Sequence, residues 1–116
     1  QNITTSMPTV VWTGSSRYIS TAKLLIQVEQ DRGDSTPDDC QSCEAIISAK
    51  GATGIGSDTP NMSVYGITYT GTGTLASFSV QRNTLTKLIE VVATLSNITE
   101  PAFVTIHSTE MKSRGL

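Results

Sequence analysis

The segment 20-STAKLLIQVEQ-30 constrains the fold more than any other part of this chain. Ala22, Leu24, Ile26 and Val28 recur at every second position, with Lys23, Gln27 and Glu29 between them. Alternation of period two over this length marks a strand with one buried face. Leu25 alone breaks the pattern, an apolar side chain on the polar side. The same period runs through 43-CEAIISAK-50, where Cys43, Ala45, Ile47 and Ala49 oppose Glu44, Ser48 and Lys50.

Four more runs are read the same way. In 62-MSVYGITYT-70, alternation groups Tyr65, Ile67 and Tyr69. In 74-TLASFSVQR-82 it groups Ala76, Phe78 and Val80. The Gly-containing stretch 70-TGTGT-74 between them predicts a hairpin. The run 85-LTKLIEVVATL-95 fits strand and helix about equally. Its β-branched Thr86, Ile89, Val91, Val92 and Thr94 disfavour a helix, and Lys87 sits where a capping box after Thr84 would place Glu or Gln. A strand is therefore predicted, aligning Leu85, Ile89, Val91, Ala93 and Leu95. Finally, 102-AFVTIHSTEM-111 alternates Ala102, Val104 and Ile106 against Thr105, His107 and Thr109.

Residues 1–15 are expected to be extended, with a short strand at Val10–Trp12, and 112–116 to form a tail. The two Gly/Asp/Ser/Pro/Thr-rich stretches 31–42 and 51–61 read as long loops between strands. Six or seven strands and no helix predict an all-β chain, an antiparallel β-sandwich or jelly roll, as one domain over 1–116. Composition agrees: Thr and Ser exceed a quarter of the 116 residues and only 16% are charged, a balance suited to pleated surfaces.

Several function classes lose support at this stage. Net charge is −2, and the eight Lys and Arg form no basic stripe, so nucleic-acid binding is not expected. No apolar run approaches the ~20 residues that span a bilayer, and no membrane partner is expected. The chain has one histidine, His107, on a strand among Thr105 and Thr109, and nothing near it in sequence suggests the buried carboxylate and aimed nucleophile of a triad. The segment 51-GATGIG-56 lacks the Gly-Lys-Ser/Thr ending of a phosphate loop. Neither cofactor, metal nor catalytic residue is expected, and the domain is read as non-enzymatic.

The densest chemistry lies in 31-DRGDSTPDDCQSC-43. Cys40-x-x-Cys43 lacks the βαβ setting of a redox pair and the further ligands of a zinc site; a local disulfide or two free thiols remain. Arg32-Gly33-Asp34 is too short a motif to carry adhesion alone. Asp31, Asp34, Asp38 and Asp39 lack the ligand spacing of a calcium loop. The expectation is an inter-strand contact loop presenting Asp31, Arg32, Asp34, Asp38 and Asp39. Asn2-Ile-Thr4, Asn61-Met-Ser63 and Asn97-Ile-Thr99 fit the N-glycosylation pattern, a signal diluted by the abundance of Ser and Thr.

Four segments together resemble a β-domain of tailed-phage virion proteins of the marine and cyanobacterial type. They are Arg17-Tyr18 with 20-STAKLLIQVEQ-30, then 44-EAIISAKG-51, 64-VYGITYTGTGTLASFS-79 and 88-LIEVVATLSNITEPAFVTIHST-109, the last similar to that group's closing hairpin. The resemblance implies a non-enzymatic module of a fibre, baseplate or other appendage, located in the virion. It implies other virion proteins as partners and a homo-oligomer, with a trimer favoured. A carbohydrate-binding or adhesive sandwich is the alternative, touching a host-surface glycan through Trp12, Tyr18, Tyr65, Tyr69 or the two Phe.

Overall fold

The computed structural model describes residues 1–4, 7–15, 19–30, 38–49, 59–71, 73–96 and 101–112. They form eight strands in two antiparallel sheets. These are β1 (Asn2–Ile3), β2 (Thr9–Gly14), β3 (Ile19–Gln30), β4 (Asp39–Ser48), β5 (Asn61–Tyr69), β6 (Ala76–Arg82), β7 (Ile89–Leu95) and β8 (Ala102–Lys112). The larger sheet has the order β1-β8-β3-β4-β5 and the smaller β2-β7-β6. The chain is an antiparallel β-sandwich. Its eighth strand, beyond the expected six or seven, is the two-residue β1, too short to leave a periodic signal.

The alternation of β3 positions the whole core. Ala22, Leu24, Ile26 and Val28 are fully buried, and opposite them stand Cys43, Ala45 and Ile47 of β4 and Val104 of β8. The smaller sheet closes over them with Ile89, Val91, Ala93 and Leu95 of β7. Along β7 even the outward-facing Val92 is buried, because β2 and β6 flank it on both sides. At about 1.5–3 kcal/mol per fully buried aliphatic side chain, this core is the main stabilising term.

Connectivity departs from the sequence expectation at 70–74. That stretch does not close a hairpin, since β5 is an edge of the larger sheet and β6 an edge of the smaller one. The chain crosses between the layers there. Gln41 fixes the crossing from inside the core: its side-chain oxygen accepts from the backbone N–H of Leu75 (2.5 Å) and Ala76 (3.0 Å), and its amide nitrogen donates to the Ala76 carbonyl (3.0 Å). For the same reason 88–109 is not a hairpin; β7 and β8 belong to different sheets. The hairpins of the larger sheet are β3–β4 and β4–β5. Consecutive hairpins put Gln30 and Asp39 at one end of that sheet and Ser48 and Asn61 at the other.

Strand β7 begins at Ile89, four residues later than the periodicity suggested. Leu85 lies in a turn, 91% exposed. Asn83 organises this turn, its side-chain oxygen accepting from the N–H groups of Leu85 and Thr86. Lys87, the misfit of the period-two reading, adopts φ +65°, the left-handed conformation that ends such a turn.

Candidate functional site: the outer face and edges of the larger sheet

Cross-strand register arranges the outer face of the larger sheet in rungs, because residues paired across antiparallel strands share a face. One rung runs Thr105, Gln27, Ser42, Thr68 and the next His107, Leu25, Glu44, Tyr65. Beyond them lies Thr109, Lys23, Ile46, Ser63. Leu25, the exception in the alternation of β3, is 52% exposed at the centre of this face. Around it a shallow depression of about 260 Å³ is lined by Leu25, Ile26, Gln27, Ser42, Thr105 and His107. Sequence reading placed these residues on strands except Ser42, which it put in the 31–42 loop, and had no means of aligning Thr105, Gln27 and Ser42; only the register does that.

Glu44 is the electrostatic centre of the face. It lies 3.6 Å from the Lys23 ammonium, an exposed ion pair worth at most about 1 kcal/mol. It also accepts a hydrogen bond from the Tyr65 hydroxyl, which holds the Tyr65 phenol above its ordinary range; desolvation and the Glu44 charge act in the same direction. Gln27 donates to Glu29 at 2.8 Å.

The residues singled out from the sequence are distributed differently from the contact loop expected at 31–42. Asp31, Arg32 and Asp34 lie outside the described residues. Asp38 is exposed just before β4. Asp39 and Cys40 are strand residues of β4, paired with Gln30 and Glu29, so the connection is shorter than 31–42. The polar Gln41 hid this early start, because an inward-facing amide breaks the apolar alternation. Cys40 and Cys43 are free thiols. Their spacing of three within a strand sends them to opposite faces, Cys43 into the core and Cys40 to the outer face. Of the two readings of the pair, the structure holds free thiols, and no local disulfide can close across the strand. Burial pushes the Cys43 thiol up from its ordinary value. Thr70 pins the Cys40 backbone, donating its N–H to the Cys40 carbonyl (3.0 Å) and accepting the Cys40 N–H at its hydroxyl (2.9 Å).

The aromatic candidates divide as well. Trp12 packs against the core, its ring over Gly14, and Phe78 is likewise half-buried; Tyr18 lies outside the described residues. Tyr65, Ile67 and Tyr69 do not share a face as alternation suggested. Gly66, at φ +63°, forms a bulge where the β4–β5 register slips between Ser42 and Glu44. Tyr65 therefore faces outward beside Glu44, whereas Tyr69 pairs with the inward Gln41. Ile67 and Tyr69 remain 47% and 48% exposed, on an edge of the inner face that the three-stranded sheet leaves uncovered.

The two edges of the larger sheet differ. Strand β8 has eleven residues, but β1 pairs only with Ala102 and Phe103, and Gln1 exchanges hydrogen bonds with Val104. The Val104 N–H and C=O thus point away from β3. By the alternation of an antiparallel ladder, those of Ile106, Ser108 and Glu110 do too. Among the described residues no strand pairs with this edge from Thr105 to Lys112.

Among the described residues, no three His, Cys, Asp or Glu side chains gather where they could hold a metal ion, and no helix is long and apolar enough to cross a membrane. No family model, curated protein or solved structure matches this chain.

Proposed function

We propose that this chain is a non-enzymatic structural module that works by assembly, joining copies of itself and neighbouring proteins through the edges of its larger sheet. One observation carries the reading: among the described residues no strand pairs with the β8 edge over Thr105–Lys112, while Ala102–Val104 are held by β1 and Gln1. An open edge is a template for another strand, and a closed oligomer covers it. The half-exposed Ile67 and Tyr69 at the opposite edge add an apolar contact. The setting, a tailed-phage virion appendage such as a fibre or baseplate component with a trimeric arrangement, rests on the resemblance of the four sequence segments.

Light scattering across a concentration series tests assembly. The expected result is a homo-oligomer, at trimer mass in the favoured arrangement; a strict monomer at high concentration contradicts the reading. Ser108→Pro sharpens the test. It removes an N–H that points away from β3, so the fold is expected to persist and the oligomer to dissociate. His107→Pro, by contrast, removes a donor to β3 and is expected to unfold the strand.

A further inference from the structure

We propose that the depression on the outer face of the larger sheet is a binding site for a single neutral hexose unit. The side chains involved project from the outer face, although Thr105 and His107 belong to the edge strand β8; binding of one sugar ring there needs no second copy, so the inference does not rest on the assembly reading.

Its walls come from three neighbouring strands, β8, β3 and β4. Thr105, Gln27 and Ser42 form one rung and His107 and Leu25 the next. Strand spacing and rise give this plate a footprint of about 10 by 7 Å. The volume of about 260 Å³ is close to the lower bound of small-ligand sites. Strands β3 and β4, paired on both sides, hold Leu25, Gln27 and Ser42 in place before any ligand arrives, and β3 holds Thr105 and His107 of β8 from one side, which lowers the ordering cost of binding.

The chemistry of the lining selects the ligand class. The hydroxyls of Ser42 and Thr105, the Gln27 amide and the His107 imidazole each combine donor and acceptor capacity. Sugar hydroxyls have the same dual character. Within the described residues the Ser42, Thr105 and His107 side chains make no hydrogen bond to protein, so their capacity faces the depression and solvent. Gln27 donates from its amide nitrogen to Glu29, which orients the amide and leaves its oxygen to accept. Leu25 supplies an apolar floor for the C–H face of a pyranose ring. Among the described residues two carboxylates border the plate, Glu29 beside Gln27 and Glu44, which is shared with Lys23 and Tyr65. They disfavour anionic sugars. One ring on so open a plate binds at millimolar strength, and presentation on an oligomer multiplies the avidity.

The test is a titration of the full chain, followed by backbone amide NMR, with the methyl glycosides of glucose, galactose and mannose and with N-acetylglucosamine. Saturable shifts confined to Leu25–Gln27, Ser42 and Thr105–His107 are expected with at least one of them. Gln27→Ala and Thr105→Val, both at exposed positions and with spectra otherwise unchanged, are expected to weaken that binding about tenfold. Glucose 6-phosphate is expected to bind more weakly than its neutral counterpart. No localised shift with any of the four, retention of binding in both variants, or equal binding of the phosphate would overturn the proposal.

Discussion

At the scale of single residues, Gln41 is the side chain on which the inter-sheet crossing most depends. It saturates two backbone N–H groups and one carbonyl inside the core. Replacing it with Leu keeps the volume and strands those groups, so Gln41→Leu is expected to cost about 2–4 kcal/mol, read as a lower urea midpoint. Two backbone positions provide cleaner probes. A Cβ at Gly66 would meet nothing within 4 Å, so Gly66→Ala reports the positive φ alone and is expected to destabilise by about 1–2 kcal/mol. Lys87 already bears that strain at φ +65°, and Lys87→Gly is expected to stabilise by up to about 1 kcal/mol. The cysteines separate kinetically: a thiol reagent is expected to modify Cys40 first and Cys43 only as the core opens. Equal rates would contradict their placement on opposite faces.

Among the elements, β3 and the inner half of β4 were legible because burial on one face writes itself into every second residue. Their register with β8 was not, and the outer depression therefore was not, because pairing partners leave no local trace. Strand β5 shows why alternation fails across a bulge. One residue in the left-handed conformation reverses the phase, so Tyr65 and Tyr69 leave on opposite faces despite their spacing of four. The stretch 70-TGTGT-74 carries the composition of a tight turn, yet the partner of the next strand is chosen by the core. Phe78 and Val80 line up along β7 and pack against the core, and the chain changes layers to put them there. In an eight-stranded jelly roll, β4 and β5 would cross to the sheet of β7 while β6 would return beside β3. Here β1-β8-β3 and β2-β7 keep the jelly-roll pairings, and β4 and β5 stay with β3 as a meander.

Two properties belong to the molecule as a whole: its response to pH and its meeting with other molecules. Because burial raises the Cys43 thiol, the native state keeps its proton to a higher pH than the unfolded chain. Its contribution to stability is fully present below the unfolded thiol value of about 8.5 and is lost as pH rises through the higher folded value. The urea midpoint is expected to fall over that alkaline window, and less steeply in Cys43→Ala. The larger sheet presents a polar face with an apolar centre and, among the described residues, a β8 edge with no partner beyond Val104, and the proposed function rests on that edge. Hydrogen exchange of the β8 amides measured at high and low protein concentration tests it most directly. The amides of Thr105, His107 and Thr109, bonded to β3, should exchange slowly at both. Those of Ile106, Ser108 and Glu110 should be slow when concentrated and fast when dilute; fast exchange of these three at every concentration would contradict assembly through this edge.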